Sequence, residues 1–331
     1  MIKKIVCLLA GSALLAGMAG AQNSYPNRPV TLVVPFAAGG DSDLFARALV
    51  QSVQQLPSAP TLVLEHRVGK SGTVASAAVR LAPADGYTLL LARVATHAIQ
   101  PAMDPSTPYK PDEFTVLAIL ELDPLICAVP SASPYRSARE LIAAIRSAPG
   151  KLRYSTAGAG TILNFAPQYL LSMSGVAPAA AHALHFESGL QAARALAEGK
   201  ADFSCAPAAS VAPFIQGGQV VGLFTTTASR MATLPQLSTA REAGLRDMGQ
   251  MVGWSALMAP VGLPAPVLSF WRQSLQKVAQ DAAWQDTNAQ LGSQPAIRLI
   301  GRPDHYVMEQ YKLYRQLSLT LKPAPVASSP P

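Results

Sequence analysis

The 331-residue chain is short of charge and of cysteine. Only 14% of its residues are charged, against about a quarter in an average soluble protein, and three are cysteine. Low charge with 50% apolar residues is the reverse of the composition that keeps a chain disordered. The net charge of +7 is not concentrated in a Lys/Arg cluster, so the sequence predicts no nucleic-acid-binding surface.

Apolar runs long enough to span a membrane are also missing, since a spanning helix needs about 20 residues. The one marked run, residues 6–18, follows Lys3 and Lys4 and precedes small residues at 19–21. A basic start, an apolar centre and a small-x-small end are typical of a secretory signal peptide. We therefore expect residues 1–21 to be removed on export, leaving a soluble mature chain.

Export would leave two cysteines, Cys127 and Cys205. An oxidising compartment permits a disulfide between them. Each lies in an apolar, strand-like segment, where a small buried thiol is the commoner outcome. The sequence leaves their pairing open.

Signatures of catalysis and of cofactor binding are incomplete. Leu64 stands where a P-loop ending at residues 69–72 would need its first glycine. Residues 253–257 lack the final glycine of a nucleophile elbow. His182 and His185 have no cysteine or carboxylate cluster beside them, which favours ordinary histidines over metal ligands. The sequence predicts neither a cofactor nor a metal.

Short β-branched runs alternate with amphipathic patterns, which predicts an α/β fold with parallel sheets covered on both faces. The length suggests two domains. A strand at residues 29–35 is followed by glycines and a helical pattern from Leu44. Ser137 and Glu140 form a capping box at the start of another helix. The Pro/Ser-rich residues 322–331 have little to bury, so we expect a disordered tail.

Two glycine loops carry the clearest functional signal, at residues 36–43 and 155–161. Glycine permits positive φ and close approach of the backbone, and the free amides of a helix start attract anions. One such loop per domain, each after a strand, would face a cleft between the domains. The alternative is that each loop is only a tight turn, with Asp43 or Thr161 capping its helix.

Residues 25–43 resemble the start of the mature Bug-type solute receptors, the TctC-like binding components of tripartite tricarboxylate transporters. The likeness continues, in order, at residues 63–67, 83–90, 96–101, 149–154, 234–244 and 254–264. It implies a two-lobed, type II-like periplasmic binding protein with a hinge between its lobes, acting as a monomer. Such a receptor captures a small organic carboxylate and delivers it to the membrane subunits of the transporter.

The resemblance also implies a domain plan and a binding site. Lobe 1 would comprise residues 25–124 and 252–321, and lobe 2 residues 125–251. Main-chain groups of the two glycine loops and bridging waters would hold the ligand carboxylate, with Thr96 and His97 on another cleft loop. The expected ligand-binding residues are Phe36, Ala37, Ala38, Gly39, Gly40, Ser42, Asp43, Thr96, Gly158, Ala159, Gly160, Thr161, Ile162, Phe186 and Glu187.

The chain departs from the family pattern chiefly on the second lobe. Residues 158–164 read Gly-Ala-Gly-Thr-Ile-Leu-Asn, where the family often has Gly-Asn-Gly-Thr-Ser-Ser-His. Residues 185–188, Ala206-Pro207 and Ser255 replace the family's Pro-Tyr-Lys-Gly, its Asp-Asn pair and an aromatic residue. A buried carboxylate without partners costs several kcal/mol. These changes therefore predict a monoanionic, partly apolar ligand.

In this hypothesis the first loop takes the ligand carboxylate, and Ile162, Leu163 and Phe186 line the far end. Glu187 could instead face an amine or amide, which would admit ligands such as amino acids. Two other functions remain open from the sequence. One is a sensor that presents its ligand to a membrane signalling partner. The other is an exported α/β hydrolase using Ser42 or Ser71, although no motif supplies the base that a nucleophile needs.

Overall fold

The computed structural model describes residues 25–321. The predicted signal peptide and tail lie outside these residues. The strands are β1 (Val30–Val34), β2 (Leu62–His66), β3 (Thr88–Arg93), β4 (Phe114–Pro130), β5 (Leu152–Thr156), β6 (Ala181–His185), β7 (Ser204–Pro207), β8 (Val220–Thr225), β9 (Val252–Pro260) and β10 (Gln294–Pro295). The helices are α1 (Asp41–Gln54), α2 (Thr73–Arg80), α3 (Gln100–Met103), α4 (Ala138–Ser147), α5 (Ile162–Met173), α6 (Gly189–Ala197), α7 (Ala208–Gln216), α8 (Ala265–Val278), α9 (Ala282–Gln290) and α10 (Pro303–Thr320).

The first lobe is built on strands in the order β10-β4-β9-β3-β1-β2. Strand β1 pairs in parallel with β2 and β3, whereas β9 runs antiparallel to both β3 and β4. The apolar side chains of β1 and β3 are buried on both faces, as expected for parallel strands covered by helices. Helices α1, α8 and α9 pack on one face around the fully buried Trp271 and Trp284.

The 17-residue strand β4 connects the two lobes. Its first part pairs with β9 from Phe114 to Pro124, and from Leu125 it pairs with β7 and β8. The second lobe adds the parallel pair β5-β6 and helices α4 to α7. One hydrophobic core follows β4 from lobe to lobe. The predicted two-lobed α/β fold is therefore confirmed.

Helix α4 begins at the predicted residue, but only half of the expected capping box forms. The Ser137 hydroxyl accepts a hydrogen bond from the Glu140 amide at 3.2 Å. The Glu140 carboxylate accepts instead from the amide of Arg136 at 2.6 Å, one residue before the cap. Both bonds still pair free backbone donors at the helix start.

Cys127 and Cys205 form a disulfide, which decides the question that the sequence left open. The two residues lie directly opposite each other on β4 and β7, and both are buried. The bridge ties the connecting strand to its second-lobe neighbour.

Among helices within residues 25–321, none has both the length and the apolar character needed to cross a bilayer.

Candidate functional site

A cavity of about 60 Å³ lies where the two lobes meet. The first lobe lines it with Phe36, Gly40, Asp41, Ser42, Arg93, Val94 and Ala95. The second lobe contributes Ala157, Thr161, Ile162, Leu163, Ser188, Gly189 and Pro207. Ligand pockets usually measure about 300–1,000 Å³. The lobes are therefore close together, and a ligand of several carbons requires them to separate or a side chain to move.

Four helices begin at this cavity. Cavity-lining residues 40–42 lie at the start of α1, residues 161–163 at the start of α5, and residues 188–189 at the start of α6. Pro207, which also lines the cavity, immediately precedes α7. A helix start carries unpaired amides and about half a positive charge. Because one start comes from the first lobe and three from the second, the arrangement can hold an anion between the lobes.

The first glycine loop is held in place by Asp43. Gly39 has a φ of +78°, which favours glycine, and its amide donates to the Asp43 carboxylate at 2.8 Å. The same carboxylate bonds Arg47 and His66, each at 2.8 Å. Burial acts to raise the pKa of Asp43, but the bonds from Arg47 and the Gly39 amide outweigh it and lower the pKa. Asp43 thus anchors the loop and does not line the cavity.

Arg93, the last residue of β3, brings a buried cation to the cavity wall. The strand registers place Arg93, Ser255 and Glu121 in one row across β3, β9 and β4. The guanidinium contacts Glu121 at 3.1 Å and Asp123 at 2.9 Å, and the Ser255 hydroxyl bonds both Arg93 and Glu121. Burial and then repulsion from Glu121 raise the pKa of Asp123.

Asp41 reaches across the cleft from the start of α1. Its Oδ1 accepts a hydrogen bond from the hydroxyl of Ser210 on α7 at 2.5 Å. A Cβ at Gly189, the first residue of α6, would collide with its Oδ2. Burial raises the pKa of Asp41, although the bond from Ser210 and the charge of Arg93 oppose this.

The structure places the predicted site residues in several environments. Those that line the cavity are Phe36, Gly40, Ser42, Thr161 and Ile162. A second hollow of about 180 Å³ adjoins the cavity, and Ser188 and Arg194 form part of its wall. Its wall also includes the predicted residues Ala37, Ala38, Gly39 and Gly40, the last of which lines both hollows. The first glycine loop therefore separates two concave surfaces.

The second glycine loop forms a turn beside the cavity. The Gly158 carbonyl accepts from the Thr161 hydroxyl at 2.8 Å, and the Ala159 carbonyl accepts from the side-chain Nδ2 of Asn164 at 3.0 Å. Gly160 lies so close to Gln100 of the first lobe that a Cβ there would collide with it. Gly160 thus lets the lobes approach closely, and Thr161 and Ile162 line the cavity itself.

Thr96, Phe186 and Glu187, also expected to bind the ligand, lie outside the lining of this cavity. Thr96 is fully buried, and its hydroxyl bonds the backbone of Arg93 and the ring of His97, which holds the end of β3. Phe186 packs against the hydrophobic core. Glu187 is exposed, and its carboxylate bonds Gln191 on the following helix turn. None of the three is among the cavity-lining residues, because each side chain has a local partner elsewhere.

The charged side chains of the site are not evident from the motifs of the sequence. Asp41 lies inside the first glycine loop, yet its reach to Ser210 depends on the second lobe. Glu121 and Asp123 alternate within a strand that is otherwise apolar apart from Thr115. Two carboxylates on one buried strand face require a cation nearby. That pattern could have indicated Arg93.

Within residues 25–321, no three or more His, Cys, Asp or Glu side chains come together as a metal site would require.

The TctC family profile, described as "Tripartite tricarboxylate transporter family receptor", matches residues 45–309. MatC (Rpa3494) from Rhodopseudomonas palustris with bound malate is 27% identical, with a TM-score of 0.81 over 89% of this chain and 100% of that one. R. palustris Rpa4515 with adipate is 25% identical, with a TM-score of 0.82 over 91% and 100%. The periplasmic binding protein BugD is 27% identical, with a TM-score of 0.81 over 90% and 99%.

Proposed function

The chain belongs to the TctC family of tripartite tricarboxylate transporter receptors, and we propose that it binds a small organic carboxylate in the cleft between its lobes. The family and its structural neighbours are binding proteins, not enzymes, which sets aside the hydrolase alternative. We further propose that the ligand-bound receptor is a periplasmic monomer that delivers its cargo to the transporter's membrane subunits.

The convergence of four helix starts on one cavity is the observation that carries the proposal. These starts offer backbone donors and partial positive charge to an anion. The neighbours MatC and Rpa4515 were solved with malate and adipate, which supports a carboxylate as the anion.

The wall opposite the first loop favours a ligand that is partly apolar. Ile162, Leu163 and Pro207 contribute carbon atoms to the cavity from the second lobe. A second ligand carboxylate among such groups would lose its hydration without full replacement. We therefore propose a monocarboxylate with an apolar body, whose charged end is held by the start of α1 at Ser42.

Capture requires the lobes to move. We propose that residues 25–124 with 252–321 close against residues 125–251 by bending where β4 and β9 connect them. The interlobe contacts support this, because Asp41 bonds Ser210 and Gly160 abuts Gln100. A closed surface made of both lobes is what a membrane partner could recognise. A signalling partner would use the same surface, and a pulldown of membrane proteins separates the two.

Thermal denaturation with paired small molecules tests the proposal. A carboxylate at 100 times its dissociation constant adds about 2.7 kcal/mol of stability, which raises the Tm of a chain of this length by about 4 °C. We expect butanoate- or benzoate-like acids to raise the Tm and the matching uncharged amides to leave it unchanged. The proposal fails if no organic acid in a broad panel stabilises the protein, or if amides and acids act alike. Native mass spectrometry of freshly purified protein would identify a copurified acid.

A further inference from the structure

The position of Asp41 suggests how the cleft selects its ligand, an inference that rests on the proposed function. We propose that Asp41 is a specificity-determining residue whose carboxylate fills the second-lobe place that a ligand's second carboxylate would take. The receptor therefore selects acids with one carboxylate and rejects those with two.

The contacts of Asp41 are those of a bound anion. It belongs to the first lobe, yet its two carboxylate oxygens contact second-lobe groups. Oδ1 accepts from the buried Ser210 hydroxyl at 2.5 Å, and Oδ2 lies against Gly189 at the start of α6. A hydroxyl donor next to the amides of a helix start can bind a carboxylate. Here the protein supplies that carboxylate itself.

Gly189 makes this contact possible. A Cβ at position 189 would collide with the Asp41 carboxylate and lie 3.1 Å from the Ser210 hydroxyl. The absent side chain therefore leaves the space that the carboxylate occupies. Gly189 and Ser210 of the second lobe thus together accommodate the Asp41 carboxylate of the first lobe.

The charges near Asp41 disfavour a second ligand carboxylate. Arg93 on β3 is the cation whose charge acts on Asp41, and it is already paired with Glu121 and Asp123 on β4. Three buried carboxylates therefore share one guanidinium before any ligand arrives. A monocarboxylate held at Ser42 adds one negative charge, whereas a dicarboxylate adds two and must direct its second carboxylate towards Ser210 and Gly189, which the Asp41 carboxylate already occupies. Like charges brought together in an interface are strongly disfavoured.

Calorimetric titration with acids of matched length tests the inference. The probes are butanoate against succinate and hexanoate against adipate, at pH 7.5. We expect the wild type to prefer the monocarboxylate of each pair by about 10- to 100-fold. Asp41→Ser, which withdraws the carboxylate from the second lobe, is expected to remove or reverse that preference. Asp41→Asn keeps the shape and removes the charge, and should reduce the preference as well.

The matched control is Asp85→Asn, which removes an exposed carboxylate paired with Arg28 and leaves the cleft lining unchanged. It is expected to keep the wild-type preference. A wild type that binds dicarboxylates better overturns both the role of Asp41 and the proposed preference for monocarboxylates. An Asp41→Ser protein with the wild-type ratio overturns the role of Asp41 alone. Both results leave the carboxylate-receptor function standing. If Asp41→Ser fails to fold, the ratio in Asp41→Asn decides. If the wild type binds none of the four acids, the inference falls.

That last result is distinguished from a failure of the proposed function by the broader thermal panel. Stabilisation by some other carboxylate keeps the receptor function, whereas no stabilisation by any acid removes it.

Discussion

Replacing Arg93 by Met should destabilise the protein strongly, because it leaves two buried carboxylates without their cation. Glu121 and Asp123 are fully buried, at 3.1 and 2.9 Å from the guanidinium. One oxygen of each carboxylate has no hydrogen-bond partner among the described residues. The guanidinium is therefore the principal group that compensates for their burial.

The expected loss follows from the burial of the whole cluster. Removing one partner of a buried ion pair costs about 3–5 kcal/mol. A typical domain has only about 5–15 kcal/mol of stability. The Arg93→Met protein should therefore lose a large part of its free energy of unfolding at neutral pH. The Arg153–Asp202 pair, at 3.6 Å with side chains 48% and 37% exposed, is the control. Arg153→Met should cost less than about 1 kcal/mol.

The loss should also depend on pH in a defined direction. Burial raises the pKa of both Glu121 and Asp123. A carboxylate with a raised folded-state pKa binds more protons folded than unfolded, so its burial costs stability as pH rises through that range. Without Arg93 the pKa values rise further. The deficit of Arg93→Met should thus be largest at pH 8 and shrink towards pH 5.

Urea denaturation followed by tryptophan fluorescence measures both effects, since Trp254 is fully buried near the cluster. Adding Glu121→Gln and Asp123→Asn to Arg93→Met should recover much of the loss, because amides are cheaper to bury than carboxylates. The reasoning is refuted if Arg93→Met costs no more than Arg153→Met. It is also refuted if the deficit is the same at pH 5 and pH 8.

Three further predictions concern His97, the disulfide and the second glycine loop. Burial lowers the pKa of His97 to about 3, so its ring signal in NMR should not titrate between pH 5 and pH 8. Because the unfolded chain protonates His97 below about pH 6.5 and the folded protein does not until about pH 3, the free energy of unfolding should fall as the pH drops from 6.5 towards 3. His97→Phe should reduce this loss of stability in acid. Replacing both Cys127 and Cys205 by Ala should lower the free energy of unfolding by about 4 kcal/mol in denaturant, because the bridge closes a loop across 78 positions. The difference should vanish in reducing buffer. Gly160→Ala places a Cβ against the Gln100 side chain of the facing lobe, which must then move, and should weaken carboxylate binding by about 2- to 5-fold, whereas Gly301→Ala, in open space, should leave calorimetric affinities unchanged.

Local patterns in the sequence determined the elements and the class of the protein. Strand β1, the glycine loop and α1 follow from a β-branched run, two glycines and helical spacing within 25 residues. The Ser137 cap is equally local. The likeness to TctC-type receptors rests on consecutive motifs, which imply the fold. These features depend on neighbours along the chain, which is why sequence reasoning reaches them.

Tertiary structure alone decided the chemistry inside the cleft. Asp41 and Ser210 are 169 residues apart, and Arg93 and Ser255 are 162 apart. The pairing of the strands and the closeness of the two lobes bring these residues into contact. Local periodicity of the sequence specifies neither the strand pairing nor the distance between the lobes. The same long-range packing paired Cys127 with Cys205, buried Thr96 and turned Glu187 to solvent. The neighbouring sequence of a residue predicts the helix or strand to which it belongs, but the tertiary structure determines which distant side chain it contacts.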